Sequence, residues 1–295
     1  MVLNLKKRIQ EIIDTGLLEI KDDFKIYWKK FPIARLAAGK DYLEPELSMI
    51  IDDIIEKEDE NKLQKYLEKW LKEKINFVLK SLIDLKTLKE SNSSIRALAY
   101  QLYENNGVLK RDIVLEYLKK LGQDERKILR NLGVKFGRYH IFLYRLLKPE
   151  AVSLRIILWK NYHQKFFDLM PPTFGLNFLE KKDSKNKNFM LLCGFENFDN
   201  YYVRIDILER LFVQIINSNP NNSSEIKLVP EMLNLLGCSK DNFLKLIKKM
   251  SYKTFEKDKE FYFKYNPIKQ RNKKLINNKT QNDNPFNILK EINFK

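Results

Sequence analysis

At 295 residues and 44% apolar content, the chain is long enough for one large domain or two ordinary ones with a sizeable core. Nine Gly and nine Pro argue against a many-stranded sandwich and for helices, and Cys193 and Cys238, far apart and without a ligand cluster beside them, argue against a structural zinc site. The net charge is +16 and uneven: residues 1–130 hold 26 Lys/Arg against 23 Asp/Glu, and the remaining residues 29 against 16. A basic half points to an anionic partner, nucleic acid before a membrane surface. The chain is also rich in Lys, Asn and Ile, so Arg is the sharper signal.

In chain order, the amphipathic stripe Leu5, Ile9, Ile12, Ile13 predicts a helix that Gly16 ends, with no continuous apolar centre of the kind a signal peptide needs. Leu17–Ile20 and Phe24–Trp28 read as two short strands around a Lys-Asp-Asp turn. The following ARLAAGKDYLEPEL reads as a loop leading into a helix around Glu46–Ile55. Leu63, Leu67, Trp70, Leu71, Ile75, Val78, Leu79 and Leu82 recur at three and four residues within Glu58–Leu88, the longest helical pattern. Ser93 or Ser94 caps a helix to Glu104, and Asn105-Asn106-Gly107 stops it. Arg111–Leu121 and Glu125–Leu132 follow as helices. Three short helices before a strand are compatible with a helix-turn-helix or winged-helix arrangement.

The densest mixture of basic, aromatic and aliphatic residues is Asn131–His163. Lys135, Arg138, Arg145, Lys148, Arg155 and Lys160 there face a single acid, Glu150. Gly133 and Gly137 bracket a short turn, Tyr139–Leu143 reads as a buried strand, and Pro149 opens a helix that Pro171-Pro172 closes. Glycines let backbone approach a ligand, and Arg and Lys beside Tyr and His pair with phosphates and stack on bases. Lys135, Arg138, Arg145 and Lys148 are therefore the candidate phosphate contacts, and Tyr139 or His140 the group that stacks or positions the strand. The competing reading is a core of Phe136, Ile141, Leu143, Leu147 and Leu154 whose cations merely solvate its rim.

Further on, Tyr201–Ile205 reads as a strand and Asp206 caps a helix to Asn217. NSNPNNSS at 217–224 is a loop. Pro230 starts a helix that Gly237 ends, Ser239 caps Lys240–Met250, and Tyr252–Tyr265 forms a terminal hairpin. The Lys/Asn-rich remainder, 266–295, is expected to be mobile. The fold class is mainly α with short strands and hairpins (α+β), organised as 1–130, 131–265 and a basic tail.

Catalytic signatures are missing. Gly39-Lys40 lacks the first glycine and the hydroxyl residue of a phosphate loop. No Ser sits on a nucleophile elbow, and neither Cys lies near a His in sequence. No apolar run reaches the length of a membrane span, so no membrane partner is expected, and a reducing cytoplasm suits the two unaccompanied cysteines.

PIARLAAGKDYLEPEL at Pro32–Leu47, LGVKFGRYHIFLYRLLKPEAVSLRIILW at Leu132–Trp159, YYVRIDILERL at Tyr201–Leu211 and LLGCSKDNFLKLIKKMSYK at Leu235–Lys253 together resemble the C-terminal region of bacterial superfamily-two helicases related to the RNA helicase of the mitochondrial degradosome. The resemblance runs from about Gly16 to Lys253 and is most specific at Gly133–Arg138, His140 and Leu147-Lys148-Pro149. It implies RNA, or another single-stranded nucleic acid, as the ligand. It also implies that the ATP- and magnesium-binding motor domains are not in this chain, which would then hold no cofactor or metal of its own. Helicase motor domains or a nuclease are the implied protein partners. The alternative is a helical scaffold that docks a helicase or nuclease.

Overall fold

A computed structural model describes residues 8–50, 57–89, 92–181, 186–218 and 225–266. The tail from residue 267 onward, and most of the 217–224 loop, lie outside the described residues. After α1 (Ile9–Thr15) comes a four-stranded antiparallel meander, β1 (Leu18–Ile20), β2 (Lys25–Trp28), β3 (Phe31–Asp41) and β4 (Glu44–Met49). The expected loop and helix over 34–49 are thus a hairpin, and residues 51–55 fall outside the described region. The turn depends on distant groups. Asp41 accepts a hydrogen bond from its own neighbour Leu43 N (2.8 Å) and from the Tyr103 hydroxyl (2.5 Å), and it pairs with Lys86 (2.9 Å). Gly39 is needed there because a Cβ would meet the Glu44 carbonyl. Gly39-Lys40 therefore sits on a strand, not in a strand-to-helix phosphate loop.

The long amphipathic pattern forms α2 (Lys57–Val78), which buries Leu63, Leu67, Leu71 and Ile75, and α3 (Lys80–Lys86). α4 (Ser93–Glu104) is capped by Asn92, whose side chain accepts from Ser94 N and Ile95 N, not by either serine. Next come β5 (Val108–Lys110), α5 (Leu115–Lys120), α6 (Gln123–Asn131), β6 (Val134–Phe136), β7 (His140–Leu143) and a 3-10 turn, Tyr144–Leu147. The expected Gly133–Gly137 turn is mostly strand, because β6 pairs along β7. β5 pairs with the other edge of β7, so one sheet draws strands from both sides of residue 130.

α7 (Pro149–His163) buries residues on every side, as a helix at the centre of a core must. It stops where Gln164 turns left-handed (φ 51°), well before Pro171-Pro172. Two cations of the basic stretch face inward here. Arg155, fully buried, donates to the carbonyls of Asn106 (2.6 Å) and Leu146 (2.7 Å), and Lys160 donates to the Leu169 carbonyl (2.5 Å). With only carbonyl partners, burial pulls the Arg155 guanidinium down to about 10.

The rest comprises β8 (Phe178–Glu180), α8 (Lys187–Leu192), β9 (Phe195–Phe198), β10 (Tyr201–Arg204), α9 (Ile205–Asn217), β11 (Ile226–Lys227), α10 (Pro230–Leu236), α11 (Lys240–Lys249), β12 (Tyr252–Lys257) and β13 (Glu260–Tyr265). The described residues make a mixed α+β fold of helices with four small antiparallel sheets. One arrangement occurs twice. Over 93–143 and again over 205–265, a helix, a short strand, two helices and a hairpin follow in that order, and the short strand pairs with the second strand of the hairpin.

Candidate nucleic-acid interface

The turn between β6 and β7 is built around a carboxylate from the second half of the chain. Glu209 on α9 accepts from the backbone N–H groups of Arg138 (2.5 Å), Tyr139 (2.9 Å) and His140 (3.0 Å). A Cβ on Gly137 would lie 2.3 Å from the Glu209 carboxyl carbon. The close approach expected of this glycine is therefore made by an internal acid, and three of the turn's donors are already used. Burial opposes the Glu209 charge, but the nearby His140 ring and the hydrogen bonds from three backbone amides outweigh it and hold its carboxyl below the usual range.

His140 is buried between two acids. Its Nε2 lies 2.6 Å from Glu196, and its Nδ1 lies 3.7 Å from Glu209. Lys110, opposite His140 on β5, closes the cluster with a 2.8 Å bond to Glu196. Burial lowers the affinity of the ring for its proton, yet the two carboxylates prevail and raise it above the ordinary histidine value. The imidazolium is thereby an ion-pair clamp between β7, β9 and α9. Its position does not suit a ligand contact, because it is 1% exposed. Tyr139 is likewise engaged, edge-on to Phe212 at 5.8 Å.

Of the other expected contacts, Lys135, Arg138, Arg145 and Lys148 are all exposed. The register places Lys135 opposite Phe142, one residue from the Leu143 end of β7. Lys135 lies on the edge strand β6, and Arg138 on the adjoining turn, over the Phe212 ring at 5.4 Å. Arg145 and Lys148 follow the far end of β7, about 10 Å along a strand of this length. Arg130 and Arg126 on α6 lie over the ring of Phe136 (5.6 and 5.9 Å), next to Lys135. Arg126 is committed to the carbonyls of Leu118 and Leu121, whereas Arg130 and Lys127 are exposed. Beside the turn, Lys110, Arg111, Arg138, His140 and Glu196 line an open cleft of about 490 Å3.

Burial pushes the Cys193 thiol up to about 12 and Cys238 up to about 11. Among the described residues no group of three or more acidic, His or Cys side chains could hold a metal ion, and no helix is long and apolar enough to cross a membrane. Comparison of the chain with protein-family models, curated proteins and solved structures finds no match in any of the three.

Proposed function

We propose that the chain is a nucleic-acid-binding accessory region of an ATP-dependent helicase, acting on RNA, with residues 93–143 and 205–265 as two tandem winged-helix modules. The observation that carries this is the repeated helix–strand–helix–helix–hairpin order with the same sheet pairing. In such a module the third helix and the hairpin meet nucleic acid. In the first module those elements are α6, β6 and the turn to β7, which present Lys127, Arg130, Lys135 and Arg138 to solvent. Arg145 and Lys148 are a separate pair of phosphate contacts beyond β7. ATP and magnesium would be held by motor domains on another part of the assembly, and the cytoplasm remains the compartment that suits the free thiols. Fluorescence anisotropy with labelled RNA tests the reading. Replacing Lys127, Arg130, Lys135 and Arg138 together by Ala weakens binding to all sequences alike, and unchanged affinity overturns it.

A second reading has its own observation. Leu43, Pro45, Leu71, Lys72 and Asn76 line a groove of about 490 Å3 beside α2. A helicase motor or nuclease docking there would make the chain a scaffold. Asn76→Arg, at an exposed lining position of the groove, would then abolish the protein contact and leave RNA affinity intact.

A further inference from the structure

The two repeated units differ in what covers the outer side of their sheets. In the first, Val108 on β5 and Phe142 on β7 share the outer face and are buried against Ile205, Leu147 and Leu191. In the second, the register places Tyr252 with Tyr265, and Ile226 with Phe263 and Thr254, on the inner face. The outer face therefore carries Lys253 opposite Lys264, then Phe255 opposite Tyr262, then Lys257 opposite Glu260. Phe255 and Tyr262 join no apolar cluster among the described residues. Their rings are near parallel, 14° apart with centroids at 5.9 Å, and only partly buried.

The lysines around them are the second observation. Like charges directly opposite on neighbouring strands repel, so the Lys253–Lys264 pair works against the hairpin unless an anion sits over it. Both side chains are exposed, and neither makes an ion pair among the described residues. Lys253 also lines a cavity of about 300 Å3 with Lys248 of α11, Ser251 and Thr254. Lys253 thus stands between this cavity at the sheet edge and the paired rings on the outer face.

We infer that this outer face of β11–β13–β12 is a platform for single-stranded RNA, with bases stacking on Phe255 and Tyr262 and phosphates held by Lys253 and Lys264. The chemistry favours a single strand over a duplex, because paired bases keep their faces inside the helix while unpaired ones offer them to aromatic side chains. It favours nucleic acid over an acidic peptide, because a peptide carboxylate would satisfy the lysines but leave the two rings without a planar partner. The site rests on the reading that the chain binds nucleic acid, yet uses residues apart from the turn of the first module.

The test is anisotropy of the full chain with a labelled oligouridylate and with a duplex of equal length. Phe255→Ala with Tyr262→Ala is expected to weaken oligouridylate binding about 5- to 100-fold, the range for loss of base stacking, and to change duplex binding far less. Lys253→Ser with Lys264→Ser touches no packed ring and relieves repulsion, so its loss of affinity cannot come from unfolding. Ultraviolet crosslinking of a bromouridine oligonucleotide is expected on Tyr262 or Phe255. If both hairpin variants bind the oligouridylate like the parent while Lys135→Ala with Arg138→Ala binds it weakly, the platform is wrong and the first module stands. If the parent chain binds no RNA at all, both fall together.

Discussion

Gly137→Ala separates an internal role for the glycine-flanked turn from a ligand-binding one. The added methyl would sit 2.3 Å from the Glu209 carboxyl carbon and 2.5 and 2.6 Å from its oxygens, so the carboxylate must leave its seat. It then loses three backbone donors, those of Arg138, Tyr139 and His140. A hydrogen bond to a charged group contributes about 1.5–3 kcal/mol, and the three here share one partly solvated carboxylate, which brings the total to about 3–5 kcal/mol. Glu209→Ala alone should cost a similar amount. The double variant should cost little more than either, because the three atoms nearest the new methyl all belong to Glu209 and residue 137 does not have the left-handed φ that demands glycine. A double-mutant cycle by urea unfolding, read by circular dichroism, should give a coupling of about 2–4 kcal/mol. Additive losses would refute the claim that Gly137 is there to admit Glu209.

The His140 cluster should make stability depend on pH from both sides. The raised His140 value gives a contribution fully present below the ordinary 6.5 and lost as pH rises through the folded value; the lowered Glu196 and Glu209 values give contributions present above 4.5 and lost as pH falls through theirs. Unfolding midpoints should peak between these limits, and His140→Gln should flatten the alkaline decline; an unchanged decline sinks the assignment. Lys253→Glu should convert a cross-strand repulsion with Lys264 into an attraction, raising stability by about 0.2–1 kcal/mol while weakening oligouridylate binding. A stabilised variant that keeps full affinity would mean that the lysine pair has no ligand. Asn92→Ala should lower stability by about 1 kcal/mol in thermal melts through loss of the α4 cap, whereas Ser93→Ala should do little.

The helices were largely legible because their signals are local. The apolar stripe from Leu63 to Leu82, Pro149 and Pro230 at helix starts, and Ser239 before α11 each act within a turn or two of themselves. The terminal hairpin was legible for the same reason. The β3–β4 hairpin was not, because its turn is held through Asp41 by Tyr103 and Lys86, far along the chain. β5 and β6 have three residues each, too few for a period, and exist because β7 lies between them. Reading Gly137 as a glycine admitting a close neighbour was physically sound, but the neighbour proved to be Glu209, on a helix whose sequence shows only an acid in an amphipathic run. The duplication is likewise an order of elements and a pairing scheme, with no residue pattern at a fixed period to announce it.

The most direct test is the salt dependence of RNA binding by the full chain. Each phosphate neutralised on a single strand contributes about −0.7 to the slope of log affinity against log salt. The expected result is a steep negative slope that becomes shallower by about 1.4 when Lys135 and Arg138 are both replaced by Ala. A slope near zero, or one that these replacements leave unchanged, would contradict the claim that this cationic turn grips a polyanion.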